Sequence, residues 1–416
     1  MNAKLRRQLR RRKKQLLRRI DKHEGQTQTP MIRPPRATYE LAEKQRAVTC
    51  GGIATIVELI KQLDLRRQIN RAVPIFKLYA PYDESDHIFN IALNLLAGGT
   101  CLEHLEIRRN DEAYLDALGA ERIPDPTTAG DFCRRFNHCQ LLQLMQAINR
   151  SRQKVWRQQP KEFFQRATIE ADGTMVETYG EKKEGIGMNH KGQWGYHPLV
   201  VTLAETQEVL YLANRSGNRP SHEHSPFYFD LAIDQCRKAG FEKIVLRGDT
   251  DFSLTENFDR WDQDGIEFVF GFDAWPNLVR AAESLKKTVW KELRRKKNLA
   301  FKSRSRRPNH KEAFVEEKGY KNYKLRRETY AEFDYRPTKC SRPYRVVVIR
   351  KEIDVKNGQQ LLFDESRYFF YITNASRSEI PARQVISESN RRCDQENTIS
   401  QLKACHSLAA PLDNLE

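Results

Sequence analysis

The chain changes period near residue 165, and this change constrains the fold more than any other feature. Before it, apolar residues recur at helical spacing; after it, short alternating or continuous apolar runs bounded by turn residues take over. QRATIEADGT (165–174), WGYHPLVVTLA (194–204) and EVLYLANRSG (208–217) read as three strands. SPFYFDLAIDQCRKAG (225–240) then reads as a helix, EKIVLRGDTDF (242–252) as a strand, 254–264 as a short helix and EFVFGF (267–272) as a strand. Such an order describes an α/β layer. YRVVVIRKEI (344–353) and SRYFFYITN (366–374) add two strands, and a last helix is expected over 381–404.

Residues 53 to 157 read as a run of helices separated by turns, with Gly98-Gly99 and Gly119 as stops and Asp125-Pro126-Thr127-Thr128 as a start. Such a segment can present a helix to a DNA groove, and it also fits a plain helical bundle.

Charge is concentrated. The formal net charge is +17, yet residues 1–36 hold 13 Lys/Arg against Asp21 and Glu24, and residues 286–311 hold 12 against Glu292. Two such patches imply a polyanionic partner, because phosphates attract clustered cations. The first includes Arg10, Arg11 and Arg12; the second includes Trp290, Arg294, Arg295, Lys296, Lys297 and Phe301, combining cations with stacking faces. The alternatives are a solvated tail and a basic surface loop. The eight cysteines form no CxxC pair, as in a reducing compartment. No uninterrupted apolar run approaches the ~18 residues of a membrane span, so a soluble, cytoplasmic protein close to DNA is expected, with no membrane partner.

Asp172 closes the first strand of the layer and Asp249 the fourth, so if those strands are neighbours the two carboxylates emerge side by side. Glu396 lies in the last helix, which can pack across that edge. Three hard oxygen donors suit Mg²⁺ or Mn²⁺, and two such ions support in-line displacement at a phosphodiester. Arg392 lies one turn before Glu396 and Lys403 about two turns after it, on one helix face, where cations can hold phosphate. An ordinary surface ion pair between Arg392 and Glu396 would also satisfy that spacing. Glu170 and Asp251, each two residues from a chosen aspartate, and His197 are neighbours that can support such a site; a structural role is the commoner one for a histidine, and His222 and His224 read as solvated.

The strings EADGT (170–174), GYHPL (195–199) and LRGDTDF (246–252), with Arg392, Glu396, Asn397 and Lys403, resemble the DDE transposases of insertion sequences, in particular the group often called the thirteen-eighty family. The likeness spans roughly residues 84 to 412. It departs at Ser389, where the broader Tyr-x2-Arg-x3-Glu-x6-Lys signature has tyrosine. The resemblance implies an RNase H-like mixed-sheet core with a β-rich insertion, preceded by an all-helical N-terminal domain. It implies a basic tail and linker (1–50), a helical DNA-binding domain (51–160), the first part of the core (161–280), a basic β-rich insertion (281–375), and completion of the core (376–416), with further helical sequence expected beyond the Glu396 helix. It also implies a metal-dependent enzyme acting on double-stranded DNA at terminal inverted repeats and target sites, with Asp172, Asp249 and Glu396 holding two Mg²⁺ or Mn²⁺ ions, working as a homodimer on the nucleoid. A DNA-binding remnant without catalysis, and a nuclease without strand transfer, are the other readings.

Overall fold

A computed structural model describes residues 50–76, 82–294, 323–356, 359–409 and 412–415, together with residues 7, 10–15, 17 and 18, which are helical and exposed. Residues 48–416 form one compact unit and residues 1–47 another.

The larger unit begins with helices α1 (Ile53–Gln62), α2 (Leu65–Ala72), α3 (Glu84–Leu96), α4 (Leu105–Arg109), α5 (Glu112–Leu118), α6 (Pro126–Cys133) and α7 (His138–Trp156). Their ends follow the punctuation in the sequence. Asp83 and Asp86 form a capping box on α3, and Asp125 accepts from the Thr128 amide with Pro126 in the first turn of α6. Gly119 ends α5 at φ 65°, a left-handed conformation that suits a residue without Cβ. Helix α7 contacts both the helices and the sheet. Lys154 Nζ donates to the Leu63 carbonyl on one side, while Asn149 Nδ2 donates to the Leu210 carbonyl and Trp156 Nε1 to Glu208 on the other.

The sheet holds β1 (Ala167–Gly173), β5 (Leu199–Leu203), β6 (Glu208–Ala213), β7 (Ile244–Gly248) and β8 (Glu267–Phe272), while β2 (Val176–Glu177), β3 (Gly187–Met188) and β4 (Trp194–Tyr196) form a small sheet apart. The main order is β6-β5-β1-β7-β8, with β1 antiparallel to β5 and parallel to β7, and β7 parallel to β8. Helix α8 (Ser225–Ala239) packs on one face, and α9 (Phe258–Gln263) links β7 to β8. The fold is thus the expected mixed α/β layer.

Beyond β8 come α10 (Pro276–Glu283), β9 (Lys291–Glu292), β10 (Tyr323–Tyr335), β11 (Tyr344–Lys356) and β12 (Gln359–Thr373). These strands continue the same sheet: β12 pairs with β8, Phe370 opposite Phe272, to give nine strands among the described residues. An unpaired β8 would leave its backbone groups open along one edge. Strand β10 is absent from the sequence reading because its charges hide its period; Glu328 pairs with Lys351 and Glu332 with Arg345 across the ladder.

Two apolar clusters lie on opposite faces. Alternation sends Phe268, Phe270, Val346 and Val348 to the larger core, and Val269, Val347 and Ile349 to a smaller one. The smaller core is covered by Val385 and Ile386 of α11 (Ala382–Asn390), which precedes α12 (Cys393–Ala404). The single helix expected over 381–404 is broken at residues 391–392, where the amides of Arg391, Asp394 and Gln395 reach carbonyls three residues back and tighten the turn. No described helix is long and apolar enough to cross a membrane.

Phe268 is fully buried and stacks on Phe258 at 4.4 Å between ring centroids. Phe268→Ala should therefore cost about 3–5 kcal/mol in denaturant unfolding, whereas Phe227→Ala, at an exposed ring, should cost less than about 0.5 kcal/mol. Similar losses for the two would contradict this assignment of the core.

Candidate active site

The alternation that builds the larger core also builds the site. On β1, Ala167, Ile169 and Ala171 enter that core, so Glu170 and Asp172 face the other way. On β7, Ile244 and Leu246 enter it, which leaves Arg247, and Asp249 just past the strand, on the same face as Glu170 and Asp172. The parallel register pairs Ala167 with Ile244 and Glu170 with Arg247. These partners are 77 residues apart, the separation of Asp172 and Asp249, so the register extended by two residues puts the aspartates on neighbouring strands. Strands so paired lie about 4.8 Å apart.

Local turns orient both carboxylates. Asp172 Oδ1 accepts from the Gly173 amide at 2.8 Å, and Asp249 Oδ1 from the Asp251 amide at 3.0 Å. The turn after Asp249 lies directly over Gly271 of β8; a Cβ there would sit 2.9 Å from the Thr250 nitrogen, so the close approach requires glycine. The remaining oxygens face Arg392, whose guanidinium is 3.4 Å from Asp172 Oδ2 and 3.1 Å from Asp249 Oδ2.

Burial dominates the electrostatics. It pushes the Asp172 carboxyl up to about 6; the Arg392 charge opposes that rise, and the charges of Asp249 and Glu396 add to it. Burial also raises Asp249, again against Arg392. Arg392 resists the downward pull of its own burial because Asp249, Asp172, Glu396 and Glu170 surround it, and its pKa is raised. Glu396 lies one helical turn beyond Arg392 and its side chain is exposed. Among the described residues no three His, Cys, Asp or Glu side chains converge on one point as a metal cage; Arg392 stands between the two aspartates instead. Two half-buried carboxylates whose charged forms are disfavoured, side by side and facing one guanidinium, are hard oxygen donors of the kind a divalent cation takes, and Glu396 stands exposed one turn beyond Arg392.

A second ionic group lies beneath the aspartates. Arg247 Nε donates to Glu170 Oε1 at 2.6 Å, and its Nη1 reaches the Glu388 carbonyl at 3.1 Å and carboxylate at 3.4 Å. Arg166 adds a contact to Glu388 at 3.1 Å. Sequence reasoning names Glu170 but misses Arg247 and Glu388, although each stands at a readable offset, two residues before Asp249 and four before Arg392.

The other expected residues are dispersed. Lys403 Nζ donates to the Met175 carbonyl at 2.7 Å, just past β1. Trp290 is half-buried, and the Arg350 guanidinium covers its ring at 4.4 Å, so one stacking face is engaged within the protein. Arg294 is exposed and pairs with Glu292. Arg10, Arg11 and Arg12 are exposed; Arg295, Lys296, Lys297 and Phe301 lie outside the described residues. His197 packs against Gly173, where a Cβ would stand 2.5 Å from the ring; burial, then Arg215, lowers its pKa, which favours the neutral ring. The buried Ser389 hydroxyl oxygen has no hydrogen-bond partner.

The family described as transposase DDE domain group 1 matches residues 43–410. No curated protein matches the chain. Among solved structures, the cryo-EM structure of the piggyBac transposase synaptic complex with hairpin DNA is similar at a TM-score of 0.35 and 9% identity, covering 88% of this chain and 69% of that one.

A carboxyl whose folded pKa rises from 3.8 to about 6 contributes stability that is present below the unfolded value and lost as pH climbs through the folded one. The loss is on the order of 3 kcal/mol. In chelator-treated protein, Asp172→Asn should therefore gain on wild type by roughly that amount between pH 4 and pH 7.5. A stability difference that stays flat with pH would contradict the assignment.

Proposed function

The chain belongs to the transposase DDE domain group 1 family, and from that premise we propose that it cuts DNA at the terminal inverted repeats of an insertion sequence and joins the freed ends to target DNA. The observation that carries this reading is the placement of Asp172 and Asp249 at the ends of neighbouring parallel strands, half-buried and sharing the Arg392 guanidinium. The finer resemblance to the thirteen-eighty group belongs to the same proposal, as do the five-part domain division and an RNase H-like core. The strand order β6-β5-β1-β7-β8 at one end of the sheet, third-second-first-fourth-fifth in chain order among these five with only the second antiparallel to the first, supports such a core.

Asp172, Asp249 and Glu396 would hold two Mg²⁺ or Mn²⁺ ions. Bound there, the ions supply Lewis acidity that activates the attacking oxygen and stabilises the leaving one. Arg392 balances the aspartates in their absence and carries a guanidinium fitted to a phosphate when it turns away. Lys403 stands beyond Glu396 on the same helix, where its ammonium can follow the backbone of the bound strand. The tail around Arg10, Arg11 and Arg12 and the segment Arg294 to Lys297 neutralise phosphates further off. A homodimer that holds two DNA ends, and a cytoplasmic, nucleoid-associated location, complete the proposal.

Purified protein, labelled terminal DNA and Mg²⁺ distinguish this reading by product: joined DNA supports it, DNA cut without joining makes the protein a nuclease, and DNA merely bound makes it a DNA-binding remnant without catalysis. Asp172→Asn, Asp249→Asn and Glu396→Gln should each abolish cleavage and leave DNA binding nearly unchanged, since an amide keeps the shape and removes the charge. Cleavage near the wild-type rate would remove that residue from the set. Deleting residues 1–36 should weaken binding and flatten its salt dependence, the log–log slope falling by about 0.9 for each phosphate no longer neutralised; an unchanged slope would make the tail a bystander.

A further inference from the structure

The ionic group beneath the aspartates has no part in the chemistry just described, yet it is the more deeply buried of the two. The side chains of Glu170, Arg247 and Glu388 are 1%, 5% and 8% exposed. Removing charges from water is costly, and apolar residues of similar volume often serve stability as well or better. Such a group persists where it fixes a geometry that apolar packing leaves free.

Here the geometry is the phase of the last helices. Helix α11 meets the sheet through Ala382, Val385 and Ile386, which pack on Val269, Val347 and Ile349. Apolar contacts of this kind tolerate small slides and rotations. The α11–α12 segment then crosses toward the other edge, since Gln395 Nε2 reaches the Val200 carbonyl of β5 at 3.1 Å. Between these anchors Glu388 receives Arg247 at both its carboxylate and its carbonyl, a directional contact that fixes translation and rotation together. Arg247 is itself held by Glu170 on β1. The partners lie two residues before Asp172 and Asp249 on their strands, and Glu388 lies one helical turn before Arg392.

We propose that Arg247 and Glu388 are positioning residues: their buried pair, braced by Glu170, sets the register of the last helices against β1 and β7 and so delivers Arg392 and Glu396 to the two aspartates. This rests on the proposed function, because Glu396 needs delivery only if it shares a cation with Asp172 and Asp249. A purely structural role would stabilise the fold without coupling to Glu396.

The test is a metal-binding cycle on the full chain without DNA, with Mn²⁺ binding followed by electron paramagnetic resonance and folding by thermal melting. The variants are Glu388→Gln, the charge-free Glu170→Gln/Arg247→Met/Glu388→Gln, Glu396→Gln, and the first two each combined with Glu396→Gln. The charge-free variant leaves none of the three residues as an unpaired buried charge. It should weaken Mn²⁺ binding about tenfold, as removal of a group supporting metal ligands does, and adding Glu396→Gln should then change little, because a mispositioned glutamate has nothing left to lose. Glu388→Gln, whose amide oxygen still accepts from Arg247, should fall between wild type and the charge-free variant and decides the matter if the latter does not fold. Folded variants with wild-type Mn²⁺ affinity, or losses that multiply independently with that of Glu396→Gln, would overturn the proposal. Wild-type protein that takes up no Mn²⁺, or takes it up equally after Asp172→Asn, would instead refute the proposed metal site.

Discussion

The pairing of β1 with β7 is the constraint on which the rest of the structure depends. It is parallel and in a register that pairs residues 77 apart, so it sets Glu170 beside Arg247, an attractive pair, and then Asp172 beside Asp249, a repulsive one. A slip of β7 by one residue against β1 would turn Arg247 and Asp249 into the apolar core and bring Ile244 and Leu246 out of it. The apolar alternation that fixes the core therefore also fixes which carboxylates share a face. Neither aspartate can be moved alone without exposing core residues.

Repulsion between two half-buried carboxylates is relieved by a positive charge, which the fold brings from more than 140 residues further along the chain. Arg392 reaches both aspartates because the smaller core anchors α11, the chain tightens at residues 391–392, and Gln395 fastens the start of α12 to β5. The long excursion through β9–β12 makes this possible: by pairing on β8, those strands extend the surface on which α11 rests. Between Asp249 and Glu396 the chain thus builds the platform that returns the helix to the site.

Much of this is legible in the sequence. Strands that close on Asp172 and Asp249, helix caps at Asp125 and Gly119, and the strands near 344 and 366 follow from apolar period and turn chemistry, which are local. Strand β10 is hidden because its polar residues satisfy one another across the ladder instead of alternating with apolar ones. Arg247 and Glu388 escape notice for a related reason: their offsets from Asp249 and Arg392 are readable, but nothing local pairs two residues 141 apart in the sequence. Spacing on a helix face places Arg392 and Glu396 together, yet does not say that Arg392 bridges the aspartates while Glu396 stays exposed.

The central claim is that the place Arg392 takes between Asp172 and Asp249 is a cation site. An anomalous-scattering map from crystals grown with manganese addresses it directly. The account predicts manganese bound by Asp172 and Asp249, with the Arg392 guanidinium turned away from both. A map in which Arg392 still bridges the aspartates, with manganese elsewhere or absent at concentrations that support binding to other carboxylate sites, would contradict it.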